Sequence, residues 1–167
     1  RSCTGGSETA YKTMNAGSSA ANPGNIVYVR GGTYNAQFSP SRSGTAENPI
    51  TFKNYNNETV TISGANLSPA ISILNQQYIV IDGINVTNVG SWLEWNNASN
   101  NIVQNSWFTG PVGAFTASSF LDSHRNKFLK NTFQNSAGDS MTFFRSDYNL
   151  IEGNTFIDAN HSLMTLK

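Results

Sequence analysis

One cysteine, five prolines and a charged fraction of only 12% are what this 167-residue sequence is shortest of. The lone thiol, Cys3, rules out an internal disulfide framework or a cysteine-based zinc site; it reads most simply as an incidental thiol, with pairing to another chain as the alternative. Ten basic side chains are cancelled by ten acidic ones. The excess of cation that binding to a phosphate backbone requires is therefore missing, and nucleic acid is not expected as a partner. No apolar run approaches the ~20 residues of a membrane-spanning helix, and no basic-then-apolar signal segment opens the chain. Helix signal is also scarce. One stretch, roughly Tyr11 to Ala21, carries Ala16, Ala20 and Ala21 but also Gly17 and two serines, and Asn22-Pro23-Gly24 stops it. Aromatic and amide side chains, in contrast, are plentiful. Ten Phe, six Tyr and three Trp argue for a folded chain, and 23 Asn stand where charge would ordinarily supply polarity. The length suits one domain with a sizeable core.

β-rich runs separated by turn residues follow the short helical cap: Ile26-Val-Tyr-Val-Arg30, Ile50-Thr-Phe-Lys53, Thr59-Val-Thr-Ile-Ser63 and Ile71-Ser-Ile-Leu74. Beyond them the chain repeats. Four segments align: Tyr78 to Val86, Asn100 to Phe108, Arg125 to Phe133 and Tyr148 to Phe156. Their apolar anchors Ile81, Val103, Phe128 and Ile151 recur at 22, 25 and 23 residues, and Val86, Phe108, Phe133 and Phe156 recur at the same spacings. A period near 23 with short strands and no intervening helix predicts a solenoid in which each turn of chain lies on the last, a single-stranded parallel β-helix of about six coils. Residues 1–25 form the N-terminal cap, 26–76 the first coils and 77–167 the regular coils. Equivalent positions then stack about 4.8 Å apart, so that Asn101, Asn126 and Asn149 form an amide ladder along the axis.

The stretch Asn22 to Tyr34, then Ser43 to Phe52, then Val60-Thr-Ile-Ser-Gly64 resembles the opening of right-handed parallel β-helix proteins of the pectate-lyase-like superfamily. Nearest is the branch holding chondroitinase B and the alginate lyases, whose later coils also carry segments like Gly153-Asn-Thr-Phe156. The resemblance implies the right-handed fold and an extracellular protein, secreted or at the cell surface, that meets an acidic polysaccharide. Members of this superfamily usually run to many more coils. The sequence starts at Arg1 and breaks off within the strand-like His161 to Lys167, which leaves both a processed chain and a truncated piece open.

Stepping the repeat along the strand before each anchor stacks Asn97, Asp122, Arg145 and Lys167, and two positions earlier Trp95, Phe120, Phe143 and Thr165. Two phases are open. If Thr142 and Phe144, with Met164 and Leu166, turn inward, both rows face outward together; the opposite alternation buries Phe120 and Phe143. The outward phase makes a face suited to sugar, with Trp95 and Phe143 as stacking surfaces and Asp122 beside cations that pair with uronate carboxylates. Arg145 beside Asp122 reads equally as a solvated ion pair along the stack, worth little.

By the resemblance, Arg145 stands at the catalytic lysine of the chondroitinase-B-like branch and Lys167 at its arginine, with the identities exchanged. The implied reaction is β-elimination. A base removes the proton α to the uronate carboxyl group while a cation neutralises the developing charge. Arginine is a poor base at neutral pH, because its pKa exceeds about 12. The same relatives use calcium held by carboxylates near the base; Asp139 is the first candidate ligand here, with Glu152 and Asp158 nearby in sequence, but the close acidic spacing of the family is missing. His161, one period after Asp139, is a third candidate acid or base. Five sequons, at Asn57, Asn66, Asn85, Asn97 and Asn160, arise readily in so Asn-rich a chain. The expectation is a β-helix that binds or cleaves an acidic polysaccharide. Its rival is a structural, adhesive or filament-forming β-helix whose open ends associate head to tail.

Overall fold

In a computed structural model, which describes residues 10–111 and 116–167, the repeat closes into the expected right-handed parallel β-helix of six coils. Cys3 lies outside the described residues. The cap is α1 (Met14–Ala20), shorter than the run of alanines suggested. Thr13 Oγ1 accepts the Ala16 N–H at 3.1 Å to start it, and the chain leaves helical geometry at Ala21. Coil one holds β1 (Ile26–Val29) and β2 (Gly32–Tyr34); coil two β3 (Ile50–Asn54), β4 (Val60–Ser63) and β5 (Ile71–Leu74); coil three β6 (Ile79–Asp82), β7 (Ile84–Val89) and β8 (Leu93–Asn96). Coil four holds β9 (Ile102–Gln104), β10 (Trp107–Pro111) and β11 (Ser118–Leu121); coil five β12 (Lys127–Leu129), β13 (Thr132–Gln134) and β14 (Met141–Phe144); coil six β15 (Leu150–Glu152), β16 (Thr155–Ile157) and β17 (Met164–Leu166).

Three parallel sheets run along the axis, in the orders β1-β3-β6-β9-β12-β15, β2-β4-β7-β10-β13-β16 and β5-β8-β11-β14-β17. The two anchor rows pair as the sequence spacing required: Ile81, Val103, Phe128 and Ile151 in the first sheet, and Val86, Phe108, Phe133 and Phe156 in the second. The aromatic anchors stack as they repeat. Phe108 and Phe133 lie 4.9 Å apart at 11°, and Phe133 and Phe156 5.1 Å apart at 16°, so each coil buries its ring on the one before.

The asparagines do two separate jobs. Inward-facing amides bond the backbone of the preceding coil. Asn101 Oδ1 accepts from Ile79 N, Asn126 Oδ1 from Asn101 N, and Asn149 Oδ1 from Asn126 N, all at 2.8–2.9 Å. A second ladder runs through Ser106, Asn131 and Asn154. The other job is at the corners, where the chain turns in the left-handed region. Asn75, Asn97, Asp122 and Arg145 (φ 45–68°) form one such row along the stack, and Gly83, Asn105, Lys130 and Gly153 another. Asn and Asp tolerate this region because their short side chains bond locally. At Gly83 a Cβ would also meet Asn54 Oδ1 at 2.7 Å, so no side chain fits that corner.

The sixth coil leaves Leu163, Met164 and Leu166 exposed. No helix among the described residues is long and apolar enough to cross a membrane.

Candidate functional site

The outward strand positions of the third sheet form two rows. One runs Ser72, Glu94, Ser119, Thr142 and Thr165, of which Ser72 and Thr142 are nonetheless buried; the other runs Leu74, Asn96, Leu121, Phe144 and Lys167. Strand alternation turns the intervening residues inward: Trp95 is 1% exposed, Phe120 0% and Phe143 2%. The outward phase expected for Trp95 and Phe143 is therefore corrected. Both rings belong to the core, where Phe120 stacks on Phe143 at 4.6 Å and meets Trp95 edge-on at 5.3 Å, so neither offers a face to a sugar. The reason is the strand β8, whose Leu93-Glu-Trp-Asn96 alternates buried and exposed, and with which β11 and β14 pair in register, so Trp95, Phe120 and Phe143 share one inward row. The last step is 23 residues rather than 22, so that Phe143 pairs with Leu166, not Thr165. Lys167 likewise stacks opposite Phe144 rather than Arg145: its N–H donates to Phe143 O and its carbonyl accepts from Arg145 N.

At the C-terminal end of this sheet Asp122 and Arg145 stack directly, both at left-handed corners. Arg145 Nε donates to Asp122 Oδ1 and Nη2 to Oδ2, each at 2.8 Å. The bidentate bonds hold the Asp122 carboxyl below the usual range and push the guanidinium up. Both side chains are well exposed, 70% for Arg145 and 42% for Asp122, so solvent screens the pair and little holds Arg145 there against another carboxylate. The Lys167 ammonium sits 5.2 Å from the centre of the Phe144 ring. The sequence singled out Phe143 and missed Phe144, the aromatic that faces outward.

At the opposite end of the same strands the chain brings His161 to Asp139. Nδ1 lies 2.5 Å from Asp139 Oδ1, which also accepts from Ser162 N at 3.2 Å, while Oδ2 accepts from Thr165 Oγ1 at 2.9 Å and Thr142 Oγ1 at 3.3 Å. The His161 hydrogen bond, with those of Thr165 and Ser162, outweighs burial and lowers the Asp139 pKa to about 2. Asp139 thus fixes His161 through Nδ1, and the ring is otherwise exposed. The strand β17 (Met164–Leu166), roughly 10 Å of extended chain, lies between His161 and Lys167. His161 and the Arg145–Lys167 edge do not converge on one sugar ring.

The calcium reading does not fit these residues. The partners of Asp139 are the His161 ring, the Ser162 N–H and the hydroxyls of Thr142 and Thr165, with no second carboxylate, and among the described residues no group of three His, Cys, Asp or Glu side chains could hold a metal ion. Lys53 and Asp82 form a second ion pair at 3.0 Å on the first sheet, with Asn105 donating to Asp82 at 2.7 Å. Burial pushes Asp82 up, but these bonds and that of Gln104 leave it below the usual range, as expected of a structural pair.

Among solved structures, an alginate lyase from Paenibacillus sp. strain FPU-7 superposes with a TM-score of 0.70 at 17% identity, over 86% of this chain and 54% of its own. A rhamnogalacturonan lyase gives 0.69 at 15%, over 92% and 48%, and a pectate lyase 0.53 at 16%, over 86% and 51%. At these identities the likeness establishes the fold, a parallel β-helix that carries polysaccharide lyases. Among curated proteins, the uncharacterised protein YwoF of Bacillus subtilis (strain 168) is 36% identical over 88 residues, 49% of this chain and 19% of that one. The chain therefore spans about half the length of the solved lyases and a fifth of the curated relative. No protein-family profile matches it.

Proposed function

We propose that this chain is a secreted or cell-surface β-helix that binds an acidic, uronate-containing polysaccharide along the outer face of its third sheet, and that any cleavage there is β-elimination. The observation that carries the reading is the exposed guanidinium of Arg145 and the ammonium of Lys167 at one sheet edge, beside the outward ring of Phe144. A uronate carboxylate matches the fork that Asp122 now occupies, and exchanging one exposed carboxylate for another costs little. A guanidinium suits a carboxylate by its two-pronged fork and holds its proton more tightly than an ammonium does, so in cleavage Arg145 takes the carboxylate and Lys167 takes the α proton. The electron pair then expels the glycosidic oxygen on the β carbon, leaving an unsaturated uronate and a new chain end. The solved lyases of the same fold, named for alginate, rhamnogalacturonan and pectate, support a uronate polymer as the class.

The test is incubation with alginate, pectate, chondroitin and dermatan, with absorbance followed near ~235 nm, where the unsaturated product of elimination absorbs, and retention in polyanion-loaded gels measured in parallel. Binding lost in Arg145→Ala and Lys167→Ala with an unchanged circular dichroism spectrum is the expected outcome. Wild-type retention in both variants would overturn the assignment. A rise in absorbance that climbs toward alkaline pH would add catalysis. The rival reading is an architectural β-helix that stacks on a second copy, and concentration-dependent sedimentation without polysaccharide binding would select it.

A further inference from the structure

The second sheet presents a different surface. None of the outward strand positions of β2, β4, β7, β10, β13 and β16 carries Lys, Arg, Asp or Glu. Along one row the residues are Thr33, Thr61, Asn85, Trp107, Thr132 and Thr155, so a single indole interrupts a run of hydroxyls and an amide. Trp107 is 48% exposed. Among the described residues it stacks on no aromatic ring and no cation lies over it, whereas the core rings are all paired. The hydroxyls of Thr87, Thr109 and Thr132 around it take no part in the hydrogen bonds of the described residues. Asn85 Oδ1 accepts from the backbone N–H of Trp107 at 3.0 Å, which fixes the amide and leaves its NH2 unengaged.

We propose that this face binds a neutral polysaccharide, with one pyranose ring stacked on Trp107. A ring of this kind has an apolar C–H face that covers an indole, and hydroxyls at its rim that fit groups able both to donate and to accept, as Thr hydroxyls are. The lack of charge selects a neutral chain over a uronate one, and a pyranose is about as long as the ~4.8 Å step between coils, so consecutive sugars along the axis meet equivalent positions of successive coils. The backbone that carries the indole is held in the sheet on both sides, so no loop has to order on binding. This site is on another sheet from the Arg145 edge and stands or falls separately from it.

Trp92 and Trp95 are buried, so iodide quenching of tryptophan fluorescence reads Trp107. The experiment titrates cellohexaose, xylohexaose and mannohexaose into the full chain. At least one of the three is expected to shift the emission and protect it from iodide, with affinity falling about tenfold in Thr132→Val and lost in Trp107→Ala. Arg145→Ala should leave the titration unchanged. The proposal is overturned if no neutral oligosaccharide protects Trp107 at millimolar concentration, or if Trp107→Ala, melting like wild type, retains binding by calorimetry.

Discussion

Replacing Asn126 with alanine tests what holds the coils in register. Asn126 is fully buried. Its Oδ1 accepts the Asn101 N–H at 2.9 Å, and its Nδ2 donates to the Ala98 carbonyl at 2.9 Å. Alanine orphans one buried donor and one buried acceptor at roughly 1–3 kcal/mol each, so the loss should be about 2–6 kcal/mol, a large share of the ~5–15 kcal/mol typical of a folded domain. In a chain of this size that lowers the melting point by roughly 4–24 °C. Asn126→Asp separates hydrogen bonding from volume. The carboxylate can still accept from Asn101 but confronts the Ala98 carbonyl, so burial should raise its pKa above that of the unfolded chain. The variant's deficit relative to alanine should therefore be small in acid, where a protonated carboxyl can donate to Ala98, and grow as pH rises through the folded pKa. Urea unfolding followed in parallel by circular dichroism and fluorescence, from pH 3 to 7, measures both effects and checks for a single transition. An alanine variant within ~0.5 kcal/mol of wild type would refute the ladder argument, as would an Asp–Ala difference that stays flat with pH.

Two further outcomes follow from the packing and charges. Phe133 is buried between Phe108 and Phe156; Phe133→Ala should cost about 3–5 kcal/mol, and Phe156→Ala, on a partly buried end ring, clearly less. Equal losses in denaturant melts would contradict the stacked core. Asp139 has a pKa of about 2 against an ordinary 3.8, a lowered value, so its stabilisation is complete above about pH 4 and disappears as pH falls toward 2. The stability gap between wild type and Asp139→Asn should narrow over that window, and a gap that does not change would show that the His161 contact contributes nothing.

Features that recur coil by coil were legible in the sequence. The β5 strand fell where expected, and β1, β3 and β4 within a residue at one end. The anchor rows and the Asn101–Asn126–Asn149 ladder paired as their spacing required, because a solenoid makes a sequence period into a spatial contact. The Asn131 ladder carried the same signal in Asn131 and Asn154, and so did Trp107, which stands where the other aligned segments hold Asn85, Thr132 and Thr155. The exposed edge was legible as residue types but not as partners: Arg145 did meet Asp122, yet Lys167 met Phe144.

The chain by itself determined the parallel β-helix, its six coils and its core anchors, since these follow from a repeat that any stacked arrangement must respect. Tertiary structure alone decided which face of the third sheet looks outward. The run Met141-Thr-Phe-Phe144 has apolar residues on both parities, and only the coil-to-coil hydrogen bonds fix the last step at 23 residues instead of 22. Pairing with Phe120, and through it with Trp95, sends Phe143 inside and Phe144 out. The strand β17 separates His161 from the Arg145 edge, a distance no local pattern records.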